Sequence, residues 1–147
     1  MAVTVTLYNH TTRLLGSLDL DNLRCMLLDD TASFVASHTT LTDVAGAMHA
    51  KEVSGNGWTT GGEFLANVEW KTVTTNDAIL DCDDISVVAT GGIIGPAYAA
   101  VYYDDTHPDD APLVYIDFGE AVDAGEATPF FITISPNGII RTDYTLP

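Results

Sequence analysis

Residues 3–9 read VTVTLYN, which sets Val3, Val5 and Leu7 against Thr4 and Thr6. A period of two sends successive side chains to opposite faces of an extended chain, so the segment predicts a half-buried β-strand. The same rhythm recurs downstream. After the turn-like SLDLDN comes LRCMLLD (residues 23–29), a continuous apolar run whose length suits a buried strand. In EFLANVEWKTVTT (63–75) the alternation places Phe64, Ala66 and Val68 on one face and Leu65, Asn67 and Glu69 on the other. Asn76-Asp77 reads as a turn into AILDC, which predicts a hairpin. ISVVAT follows, then GGIIGP as a break, then the strands AYAAVYYDD (97–105) and PLVYIDFG (112–119) around an acidic loop. FFITIS, the turn PNG and IIRTDYTL predict a closing hairpin, in which Pro136 pre-sets φ and Asn137 or Gly138 supplies the left-handed position.

One helix signal interrupts this pattern. LTDVAGAMHA (41–50) predicts a short helix with Thr42 as candidate N-cap, weakened by Gly46. Eight or nine strands at frequent turn spacing predict an all-β fold with minor α, a single antiparallel β-sandwich or barrel. The length of 147 residues suits one domain spanning residues 1–147. Residues 1–10 and 139–147, uncharged or Thr-rich for much of their length, are candidate arms for adding to a neighbouring sheet.

Composition narrows the function classes. Five Lys and Arg stand against 21 Asp and Glu, a net charge of −16. Phosphate contacts need a basic stripe, so nucleic acid is not an expected partner, and an anionic membrane surface is not either. Much of the acid is Asp in turn-like clusters, where its short side chain accepts backbone hydrogen bonds. The start MAVTVTLYNH has neither a basic opening nor a continuous apolar core, so no secretory signal is read there. Cys25 and Cys82 could form one disulfide if the chain were secreted. Without a signal they are expected as two reduced, packed thiols.

The motifs that carry chemistry give little. Asp104, Asp105, His107, Asp109 and Asp110 form the densest ligand-type cluster, but Pro108 divides it and the one-in-two rhythm of a calcium loop is missing. It is read as a solvated loop, and no metal or other cofactor is expected. No serine lies in a G-x-S-x-G elbow, and GGIIGP lacks the Lys and spacing of a phosphate loop. The expectation is a non-enzymatic binding or structural module. The stretch EVSGNGWTTGG (52–62) raises the sharpest question, because Trp58 sits among Gly55, Gly57, Gly61 and Gly62. Trp58 is either an exposed platform, with Trp70, Tyr102 and Tyr103 as partners for stacking on sugar rings, or an anchor folded back onto the body. The absence of a base, nucleophile or phosphate-binding Lys beside the glycines favours the anchor.

The order of several stretches adds a resemblance. YNHTTRLLGSLDLDNLRCMLLD, then TDVAGAMHAKEVSGNGWTTGGEFLANV, then AYAAVYYDD with PLVYIDFG resemble a group of small virion structural proteins of tailed bacteriophages, from about Tyr8 to Ile140. In that group a VSG-GY-x-x-GG-x-x-L-x-N stretch follows a YN…LDLD…LL stretch, and a YDDT…PLIAYIDFGG-like pair comes later. Trp58 stands here where a tyrosine-like ring is usual, Tyr102-Tyr103 occupy the IY position, and Phe118-Gly119 close the pattern. The resemblance implies a role in the particle and brings no catalytic residues. A −16 chain suits the outer face of a head better than the DNA-facing one. The expected role is therefore a capsid decoration protein bound to the major capsid protein, as a homo-oligomer (trimer or dimer) assembled in the host cytoplasm. The alternatives are a tail or neck component and a carbohydrate-binding adhesion module.

Overall fold

The apolar run at 23–28 lacks alternation because both of its faces are covered. Cys25 and Leu27 enter one hydrophobic core, and Met26 and Leu28 enter another on the opposite side. The computed structural model describes residues 2–74 and 77–143. Among them are strands β1 (Thr4–Leu7), β2 (Leu23–Leu28), β3 (Glu52–Val53), β4 (Glu63–Phe64), β5 (Glu69–Thr74), β6 (Asp77–Asp81), β7 (Ile85–Val88), β8 (Ile94–Asp104), β9 (Pro112–Ala124), β10 (Pro129–Ile132) and β11 (Ile140–Asp143). Two short helices, α1 (Thr11–Leu14) and α2 (Leu41–Ala45), and three single 3-10 turns complete the description.

The architecture is all-β with minor α, and β-sandwich-like. The principal sheet runs β1-β9-β8-β2-β3, with β4 also pairing β2. A two-stranded sheet, β10-β7, and a three-stranded sheet, β11-β6-β5, contribute to the opposite layer, and every pairing is antiparallel. The larger core fills the space between the layers, joining Leu23, Cys25, Tyr102 and Ile116 of the principal sheet to Leu80, Ile85, Phe130 and Ile140 of the smaller ones. The second core lies on the other face of the principal sheet, where Tyr8, Met26, Val101, Tyr103 and Tyr115 meet Leu41, Val44 and Ala45 of α2. Each fully buried Leu or Val here contributes roughly 1.5–3 kcal/mol by leaving water.

Several local expectations are corrected. Thr40, two residues before the expected cap, begins α2: its hydroxyl accepts from the Asp43 N–H at 3.1 Å, and the Asp43 carboxylate accepts from the Thr40 N–H at 3.2 Å. This reciprocal capping box satisfies two N–H groups that the helix start would otherwise leave open. Thr42 lies inside the helix, where its carbonyl accepts from Gly46. The helix α1 was not foreseen, since four residues without a side-chain cap leave no pattern to read.

EFLANV is not one strand. The chain breaks after β4, Asn67 takes φ 53° and its side chain donates to Asp83 at 2.6 Å, so the parity read across the break is wrong. Leu65 is buried and Phe64 exposed. Nor do the last two strands form a hairpin. A turn does close at Ser135–Gly138, with Gly138 at φ 70°, but β10 pairs β7 and β11 pairs β6. The expected hairpin of β5 with β6 is present as an antiparallel pair, while its turn residue Asn76 lies outside the described residues.

Of the two candidate arms, the first forms β1 and pairs along one side with β9. In the second, Ile140–Asp143 form β11 against β6, and residues 144–147 lie outside the described residues.

Candidate functional site

The glycine-rich stretch folds back onto the body. Gly55 and Trp58 form an isolated antiparallel bridge, and Gly55, Gly57, Gly61 and Gly62 all have positive φ. At Gly62 the requirement is steric as well: a Cβ would collide with the Cys25 carbonyl oxygen of β2, so the loop can lie on the sheet only without a side chain there. Arg24 holds the loop from below, its guanidinium donating to the Gly62 carbonyl at 2.7 and 3.1 Å and to Thr60 at 3.2 Å. The same group lies 4.4 Å above the Phe64 ring and 3.6 Å from Asp105. Tyr103 donates its hydroxyl to the Gly61 carbonyl, so two motifs 42 positions apart in the chain become one joint.

Trp58 is the anchor, not the platform. It is 2% exposed in the larger core, edge-on to Phe130 at 5.4 Å, and Phe130 in turn lies 6.4 Å from Phe118. Its indole Nε1–H has no hydrogen-bond partner among the described residues. Tyr102 and Tyr103 are buried too, and burial pushes both phenols well above their usual range. Of the four rings considered for sugar stacking, only Trp70 on β5 reaches the surface. The sequence-named platform is therefore not assembled.

The acidic loop organises itself. Asp104, buried at the end of β8, accepts from the N–H and hydroxyl of Thr106 at 3.0 and 2.8 Å and from the Asp19 N–H at 3.2 Å. These bonds occupy carboxylate lone pairs that a cation would otherwise use. Among the described residues no group of three or more His, Cys, Asp or Glu has the arrangement to hold a metal ion. Both cysteines are free and buried in the larger core. Burial raises the Cys25 thiol far above its usual range and pushes Cys82, which also faces Asp81, Asp83 and Asp84, up to about 12.

The feature that stands out sits at the first segment of the chain. Among the described residues the two layers do not close beyond β1, and a groove of about 340 Å³ opens between β1–β9 on one side and β10 with the 133–139 connection on the other. Val5 lies opposite Ile116, and the inward face of the sheet continues to Val3 and Phe118. Across from them stand Phe131, Ile132 and Ile134. Val3, Val5 and Phe131 are 55%, 58% and 54% exposed, and among the described residues none that lines the groove is charged. Trp58 supports it from behind through Phe130, which is both its ring partner and part of the groove wall. Sequence reading missed this seam because its residues come from distant strands. One signal was available: in the consecutive rings Phe130-Phe131 a strand can bury only one, and the other must face solvent or a partner.

Compared with family models, with curated proteins and with solved structures, the chain finds no match.

Proposed function

We propose that this chain is a non-enzymatic structural protein of a tailed-bacteriophage particle, a decoration protein bound to the outer surface of the head. The observation that carries the reading is the apolar, uncharged seam on a chain of net charge −16. Exposed apolar surface concentrated in one groove is the form a protein-binding face takes, whereas scattered single residues are ordinary. The surrounding acid directs the molecule away from packed DNA and toward an exterior position. The resemblance of the motif order to that of small virion proteins supports the same reading. Its glycine and aromatic residues serve here to fix the seam's supporting wall.

A decoration protein works by repeated contact, so modest affinity at each site accumulates when several shell subunits are engaged together. The test is quantitative mass spectrometry of purified particles that encode the chain. On the order of hundreds of copies per particle, as icosahedral surface lattices require, supports decoration. About six or twelve copies moves the protein to the tail or neck ring, and absence from the particle refutes the proposal.

A further inference from the structure

We propose that the seam is completed by an extended, basic segment of a partner protein, which adds as a strand to the open edge of β1 and places its inward side chains in the groove. This rests on the reading of the seam as the face turned toward another virion protein, and it names the chemistry of that partner.

Three observations converge. First, β1 ends the principal sheet: β9 pairs it on one side, and among the described residues nothing pairs it on the other. Its outward N–H and C=O groups are a template for another strand. Second, β1 is short, which itself limits pairing, but its edge carries none of the charged, proline or bulge blocks that natural sheets add. Residues 1–12, MAVTVTLYNHTT, contain no Lys, Arg, Asp, Glu or Pro, and β1 pairs β9 in continuous register, without a bulge, over Thr4–Leu7. Third, the groove lies where the side chains of an added strand would point. Val3 and Val5 form its near wall and Phe131 its far wall, so alternate residues of the newcomer would be buried while the others face away.

Charge decides the identity of the occupant. Two copies of this chain meeting at β1 would bring two bodies of −16 together. A basic segment reverses the electrostatic sign. The body around the groove is acidic: the chain carries −16 overall, and Asp84, whose side chain accepts from the Ile134 N–H at 2.7 Å, lies beside the groove's far wall. The fitting ligand is thus apolar at alternate positions and carries Lys or Arg at its ends.

The probe is a synthetic peptide, acetyl-KKTVTVTVKK-amide with a fluorophore, titrated against the full chain at low salt. The expected result is saturable binding with new amide-exchange protection across Val3–Leu7. Val5→Lys, which puts a charge in the groove, should weaken binding at least about tenfold. Phe131→Lys on the opposite wall is the second variant, far from β1, and should do the same if Val5→Lys disturbs folding. A peptide N-methylated at alternate residues, which cannot form the ladder, should not bind. Raising the salt to about 0.5 M should weaken binding by screening the surrounding acidic charge. No binding at about 1 mM peptide overturns the proposal. So does binding unchanged by both lysine variants, which would place the peptide elsewhere on the acidic surface. A concentration-dependent dimer abolished by Val5→Lys in sedimentation assigns the edge to a second copy and also overturns it. Failure here with hundreds of copies in the particle leaves the decoration role standing; peptide binding by a protein absent from particles does the opposite.

Discussion

Replacing Trp58 tests whether the glycine-rich stretch is an anchor. The ring is 2% exposed and in edge contact with Phe130, so truncation to alanine removes nearly its whole buried surface and leaves a cavity at the junction of β10 with the larger core. Large-to-small changes of this kind cost about 3–5 kcal/mol. For a domain of this length that lowers Tm by about 6–20 °C, at roughly 2–4 °C per kcal/mol. Trp58→Phe separates the ring from its polar atom. Because Nε1 has no partner among the described residues, its burial carries the cost of an unsatisfied donor, about 1–3 kcal/mol. Phenylalanine removes that cost while giving up some volume, so the net change should stay within about 1.5 kcal/mol. Urea unfolding followed by far-UV circular dichroism is the assay, with equal m-values showing that the same surface is exposed in each variant. A loss below about 1 kcal/mol for Trp58→Ala would refute the anchor and restore the exposed platform. A loss for Trp58→Phe as large as for Trp58→Ala would show that the indole N–H is satisfied, contrary to the structure.

Three further outcomes are expected. Gly62→Ala should destabilise the chain more than Gly55→Ala: both positions have positive φ, but only at Gly62 would the new Cβ strike backbone, and paired urea melts give the difference. Native protein at pH 8 should bind no thiol reagent at Cys25 or Cys82, and denatured protein should bind two equivalents; rapid native labelling of either would place that thiol at the surface. Stability should fall as pH rises above about 9. Burial raises Cys82 from 9.0 to about 12 and Tyr115 from 10.0 to about 12, and raises Cys25, Tyr8, Tyr102 and Tyr103 further. The folded state thus holds protons that the unfolded state releases above pH 9–10, so the stability is whole below that range and is lost progressively through the folded pKa values. Tyrosinate absorbance that rises in step with unfolding, instead of before it, checks the assignment.

Strand positions were legible in the sequence where burial is one-sided or complete. VTVTLYN alternates because only one face of β1 turns to the groove and the larger core, and LRCMLL does not alternate because β2 is covered twice. Partnership was less legible. A tight turn at Ser135–Gly138 is a local fact, but the choice of β7 and β6 as separate partners is made by Phe130 packing toward Trp58 and by Ile140 entering the core with Leu80. Parity likewise fails wherever an irregular residue such as Asn67 resets the count. The glycine stretch reads as structural in the sequence, yet its attachment to Tyr103 and Cys25 depends on contacts between distant parts of the chain.

The seam was invisible for a related reason, and that reason bears on its role. Val3, Val5 and Phe118 each read as an ordinary inward position of an ordinary strand, and the sequence treats them as it treats core residues. They form an open groove because, among the described residues, no strand lies beyond β1 to cover them. A groove of this kind is costly in a solitary protein, since apolar surface left in water forfeits roughly 25 cal/mol per Å² that burial would return. A chain with 21 carboxylates had many ways to place one at position 3, 5 or 131 and placed none. The pattern makes physical sense if those positions are buried in the working assembly, where a charge would cost more than exposure does in the free chain. On this account the alternation in VTVTLYN extends the code for an interior across the boundary of one chain, and the missing strand comes from another.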